Sequence, residues 1–143
     1  MTVCALLQND LSWRQSPGFV ERLSNYLFNN VAETKVGASY PELETRVYSL
    51  EKSALKEHVE YAVNELGWKI QKSFDGGNTL HATVTTPMFK FMDDIEITLE
   101  ADAGNNTHVQ LKAASRVGKG DLGTNTRHIL NFYQTLDDRL TTI

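Results

Sequence analysis

From Thr45 onward the apolar positions follow two distinct periods. "TRVYSL" is a short apolar–polar run that predicts a strand. "EKSALKEHVEYAVNELG" then switches to a period near 3.6, with Leu55, Val59, Ala62, Val63 and Leu66 on one side. Gly67 is a natural stop for that helix. "WKIQKSF" returns to period two and sets Trp68, Ile70 and Phe74 against Lys69, Gln71 and Ser73. "DGGN" is a hairpin signal. Three more strands follow. Leu80, Ala82 and Val84 oppose His81, Thr83 and Thr85. Ile95, Ile97, Leu99 and Ala101 oppose Glu96, Thr98 and Glu100. Val109, Leu111, Ala113 and Ser115 oppose His108, Gln110 and Lys112, after a turn at "DAGNN". A last helix runs from Asp121 or Gly123 to near Leu140, with Leu122, Ile129, Phe132, Tyr133, Leu136 and Leu140 on its apolar face.

Clean alternation predicts an antiparallel sheet with one covered face. Two helices on that face give an α+β fold, a two-layer sandwich in the order β-α-β-β-β-β-α. The chain divides near "GASYPELE", where Gly37 and Pro41 punctuate it. Residues 1–44 read as an N-terminal arm and residues 45–143 as a single α+β domain. In the arm, Ser16 and Pro17 suit a helix start. Phe19, Val20, Leu23, Leu27 and Phe28 form an apolar stripe beside Tyr26, with Trp13 just before. That stripe predicts packing on the main domain or docking of a partner.

Composition narrows the functions. The chain has 143 residues and a formal net charge of −4, with no long basic run. This argues against nucleic acid as the main partner and against electrostatic attachment to anionic lipid. The lone Cys4 cannot form an intrachain disulfide and has no partner motif around it. The first residues lack a signal-peptide pattern, and no apolar run reaches the ~20 residues of a membrane span. The expectation is a cytoplasmic or other soluble compartment, with peripheral membrane association only through a protein partner.

Gly118, Gly120 and Gly123 spell G-x-G-x-x-G. A dinucleotide loop needs a second parallel strand after its helix, and the last helix is followed by none. Asp121 also puts a carboxylate where a phosphate would sit. No cofactor is predicted. His81 and His108 share the polar face with Glu96 and Glu100, but their spacing is not that of a metal motif. No catalytic constellation is visible.

The stretch "AASRVGKGDLGTNTRHI" resembles the signature of the domain-of-unknown-function family 1499 (DUF1499), which runs Ser-Arg-x-Gly-x-x-Asp-x-Gly-x-Asn and then Arg-Ile. Ser115, Arg116, Gly118, Asp121, Gly123 and Asn125 match in place. Upstream, "FMDDIEI" is similar to the family's Phe-x-Asp-Asp segment and gives Phe91, Asp93 and Asp94. The resemblance covers about residues 45–143. It departs at His128, where the family pattern carries arginine, and in lacking a Pro-Asn-Cys segment. The resemblance implies no established activity; some members occur in photosynthetic lineages, which implies a role beside photosynthetic membranes or their complexes.

The motif predicts a clasp. Arg116 ends one strand, Asp93 and Asp94 begin its neighbour, and a guanidinium can grip a carboxylate with two hydrogen bonds. Asp121 or Asn125 would cap the last helix. The competing reading makes Arg116 an anion anchor in a ligand site. Adjacent strand residues point to opposite faces, so Asp93 and Asp94 do not form a catalytic pair. "TPMFKFMDD" crowds Met88, Phe89, Phe91 and Met92 into one strand connection, a candidate partner contact unless the arm covers it. The leading expectation is a non-catalytic binding or accessory protein with a protein partner. The alternative is a small-molecule or lipid carrier with a pocket between sheet and helices.

Overall fold

The period-two segments become one antiparallel sheet. The computed structural model describes residues 31–38, 43–86, 91–116 and 124–141. In chain order these residues form β1 (Val31–Glu33), β2 (Arg46–Tyr48), α1 (Lys52–Glu65), β3 (Lys69–Phe74), β4 (Thr79–Thr85), β5 (Met92–Ala101), β6 (Thr107–Ser115) and α2 (Thr124–Thr141). The strands lie in the order β1-β6-β5-β4-β3, and β2 also pairs with β6. Every strand pair is antiparallel. This is the expected α+β arrangement, with one strand more than the sequence pattern shows.

The core lies between one sheet face and the two helices. The predicted inward positions Leu80, Ala82, Ile95, Ile97, Leu99, Val109, Leu111 and Ala113 are buried, as are Leu55, Val59, Ala62 and Val63 of α1 and Ile129, Phe132, Tyr133 and Leu136 of α2. Each fully buried leucine, isoleucine, valine or phenylalanine side chain among them gains roughly 1.5–3 kcal/mol over exposure. α1 ends as its sequence predicts. Gly67 takes φ 75°. Its N–H donates to the Asn64 carbonyl and the Trp68 N–H to the Val63 carbonyl, which closes the last turn.

Two segments differ from expectation. The first is β1, drawn from the supposed arm into the sheet, where Val31, Ala32 and Glu33 pair with Ala114, Ala113 and Lys112. A three-residue strand of sequence Val-Ala-Glu is too short to display a period. The second is β3, where the register shifts between Ile70 and Lys72. Ile70 lies opposite the buried Ala82, whereas Phe74 lies opposite Thr79 and so on the other face. The alternation written for Trp68, Ile70 and Phe74 therefore fails halfway along the strand, because a bulge inserts one residue. The helix predicted over residues 16–30, with Trp13 before it, lies outside the described residues.

Candidate functional site

The motif residues meet where β5 begins and β6 ends. Asp93 and Asp94 sit on opposite faces of the sheet, and each draws a separate set of partners. On the helix-covered face, Asp93 lies directly opposite Ser115 in register. Asn125 and His128 are three apart on α2 and so share one side of it. Asn125 Nδ2 donates to Ser115 Oγ at 2.9 Å. His128 Nε2 lies 2.8 Å from Asp93 Oδ2. Two strand residues and two helix residues thus form a polar box inside the sandwich. The His128 and Asp93 side chains are only 12% and 2% exposed. The Trp68 ring meets the His128 ring edge-on at 5.9 Å and stacks on Phe132 at 6.1 Å.

On the other face Asp94 takes the arginine fork. Arg116 Nε donates to Asp94 Oδ2 and Nη2 to Oδ1, both at 2.8 Å. His81 Nε2 of β4 lies 2.9 Å from the same Oδ1. The Arg116 N–H donates to the Met92 carbonyl at 3.1 Å and extends the ladder by one bond. The Arg116 guanidinium is the first cause that lowers the Asp94 carboxyl to about 2, with the His81 hydrogen bond adding to it against a desolvation cost. Asp94 in turn raises the Arg116 guanidinium. This clasp is open to solvent, with the side chains 48% and 31% exposed.

The sequence reading therefore finds its pair in Arg116 and Asp94, while Asp93 goes to a partner on α2. Asn125 is corrected: it stands inside the first turn of α2, and its side chain reaches back to β6. Gly118, Asp121 and Gly123, with the glycine pattern and Leu122, lie outside the described residues, as do Met88 and Phe89. Phe91 is exposed and its N–H donates to Thr86 Oγ1. Met92 opens β5 and is partly buried. His81 and His108 stand opposite Glu96 and Glu100, four residues apart on β5, or roughly 13 Å of strand. His108 bonds Asp102 at 3.1 Å instead. Among the described residues no group of three His, Cys, Asp or Glu side chains could hold a metal ion.

Sequence reasoning missed three participants. His128 was visible as the residue in the arginine position, and the structure gives it the buried carboxylate. His81 needed the β4–β5 register, and Trp68 needed the α1–β3 connection. A further network was not anticipated. Asp137 of α2 accepts from Arg46 Nη1 at 2.6 Å and from the Tyr48 hydroxyl at 2.8 Å. Burial, first, and the Asp137 hydrogen bond push the Tyr48 hydroxyl well above the usual tyrosine range. The Arg46 guanidinium lies 4.5 Å from the centre of the Tyr133 ring. These contacts pin β2 to α2.

A carrier would need space between sheet and helices. That layer is occupied by side chains such as Leu55, Ile97, Leu111 and Phe132, all at most 1% exposed. At its margin Lys56, Val59, Leu80 and Ile97 line a recess of about 270 Å³, a volume that includes space open to solvent. Among the described residues no helix is long and apolar enough to cross a membrane.

An open antiparallel sheet, covered on one face by two helices and clamped at one end through paired acidic and basic side chains, defines a small α+β domain with a strand-to-helix motif. The chain belongs to DUF1499, a family of proteins of unknown function, whose profile matches residues 17–136. A search of curated proteins finds no match.

Proposed function

We propose that the chain is a non-catalytic binding or accessory protein that works through a protein partner, in the setting of a protein complex of a photosynthetic lineage. The observation that carries this reading is how the motif side chains are spent. Arg116 is bound to Asp94, His128 to Asp93 and Asn125 to Ser115. A nucleophile would need a base within hydrogen-bond reach, and a base would need a substrate proton. The motif side chains instead tie two strands and a helix together. The exposed Phe91 stands two residues before this clamp, and Met88, Phe89 and Met92 flank it in sequence. Aromatic and methionine side chains are favoured at the centres of protein interfaces.

The test is quantitative co-purification from the native cell with the parent chain and with Phe91→Asp. A stoichiometric protein that is retained by the parent and lost with the folded Phe91→Asp chain is the expected result. Retention of a small molecule by the parent, with no stoichiometric protein, would replace this reading with that of a carrier.

A further inference from the structure

Both helices pack on the sheet face that carries Ile95, Ile97 and Leu111. Among the described residues no helix lies on the other face. Four strands lay one registered row of ionisable side chains across its middle. Glu33 of β1 stands opposite Lys112 of β6, Lys112 opposite Glu96 of β5, and Glu96 opposite His81 of β4. The row runs acid, base, acid, base, and Glu33, Lys112 and Glu96 are exposed. The geometry points to this face as a self-complementary surface on which a second copy of the chain docks, sheet against sheet.

Symmetry carries the argument. A two-fold axis that runs along the strands, between β5 and β6, reverses the row onto itself. Glu96 then meets the partner's Lys112, and Lys112 meets the partner's Glu96. At the flanks Glu33 meets the partner's His81. Every contact is made twice, as an isologous dimer requires, and the assembly closes at two copies. The rows beyond keep the pattern. Thr98 lies opposite Gln110, both neutral, and Glu100 lies opposite His108. An axis moved by half a strand spacing, onto β5, would set Glu96 against its own copy, so like-charge repulsion selects the axis between β5 and β6. Packed sheets lie about 10 Å apart and cross at about 30°. A glutamate and a lysine together span that gap, and the crossing leaves the central row best aligned. Among the described residues neither Glu96 nor Lys112 has an ion-pair partner, so docking breaks no existing pair. The four strands offer at most about 600 Å² on each copy, against ~800 Å² in a standard interface. A charged surface of that size makes a reversible dimer that weakens as salt is raised.

Sedimentation equilibrium of the full chain at low ionic strength tests this, with Glu96→Lys and Lys112→Glu. The parent is expected to pass reversibly from monomer to dimer as concentration rises to the submillimolar range. Either substitution alone gives two like-charged contacts and should weaken the dimer about tenfold or more. The two substituted chains, mixed in equal amounts, regain opposite charges at both contacts and should associate as the parent does. So should the chain that carries both substitutions. This rescue separates a lost contact from a lost fold. The proposal is overturned by a parent that stays monomeric, which would leave the face to solvent or to a different protein. It is equally overturned by single substitutions that leave association unchanged, which would place the contact elsewhere. A mixture and a doubly substituted chain that both stay monomeric would also overturn it.

Discussion

Asp93 and Asp94 are neighbours in sequence with nothing else in common. One is sealed under α2 against a histidine, and the other holds an arginine in the open. That division was legible in part. Strand parity separates the two carboxylates, and the motif spacing places Arg116 beside them. Parity also puts Asp93 on the apolar side with Ile95 and Asp94 on the polar side with Glu96, but the partner each carboxylate takes needed the register and the position of α2. The open pair has a pH signature. The Asp94 carboxyl is held near 2, below the ordinary value of ~3.9. A depressed carboxyl contributes stability that is present above its unfolded value and lost as pH falls through its folded one. The contribution of Asp94 is therefore expected to fade from about pH 4 toward about pH 2. Carboxyl carbon NMR on Arg116→Ala should show Asp94 titrating back toward the ordinary range. His81→Gln should move it less, because the arginine is the larger cause. An Asp94 titration unmoved by Arg116→Ala would mean that the fork does not persist in solution.

At the scale of elements, legibility tracks length and regularity. α1 and β4 to β6 repeat their period often enough to be read directly. β1 does not, and β3 misleads because its period breaks at Gln71. That break has a use. β3 is the last strand of the sheet and its six residues are all exposed. Such an edge invites pairing with another chain, and a bulge with flanking lysines is a common defence. Lys69 and Lys72 flank Gln71, whose Nε2 donates to Thr83 Oγ1 at 2.9 Å. Deleting Gln71 would leave Ile70 opposite Ala82 and Lys72 opposite His81 in an unbroken ladder. The deletion is expected to fold with little loss of stability but to self-associate as concentration rises. Light scattering across a dilution series checks this. A deletion chain that stays as monodisperse as the parent would deny the bulge a protective role.

The whole molecule raises the question of where the domain begins. Composition divides the chain at residue 45, yet the sheet reaches back past that point. β1 and β2 both run antiparallel to β6 along the same edge, β2 against residues 107–109 and β1 against residues 112–114. They are two halves of one edge strand, separated in the sequence by residues 34–45. The described ends of that stretch are tied to each other. The Lys35 N–H donates to the Leu43 carbonyl and the Thr45 N–H to the Lys35 carbonyl, and the Glu44 carboxylate accepts from the Gly37 and Ala38 amides. At its near end Thr34 is buried. Its N–H donates to the Leu111 carbonyl at 2.8 Å, and its hydroxyl accepts from the Leu111 N–H at 2.9 Å. Gly37, with φ 71°, looks like a boundary in the sequence because a turn inside an edge strand needs the same residue type as a linker. Two chains separate the possibilities. Thr34→Val in the full chain leaves the Leu111 N–H without its hydroxyl acceptor and is expected to cost about 1–3 kcal/mol. A chain that starts at Thr45 also loses the β1 ladder and the burial of Ala32, and is expected to lose at least about 2 kcal/mol against the full chain. Urea denaturation measures both. If the chain from Thr45 unfolds at the same urea concentration as the full chain, the first 44 residues are an arm after all, and the β1 pairing adds nothing to the stability of the domain.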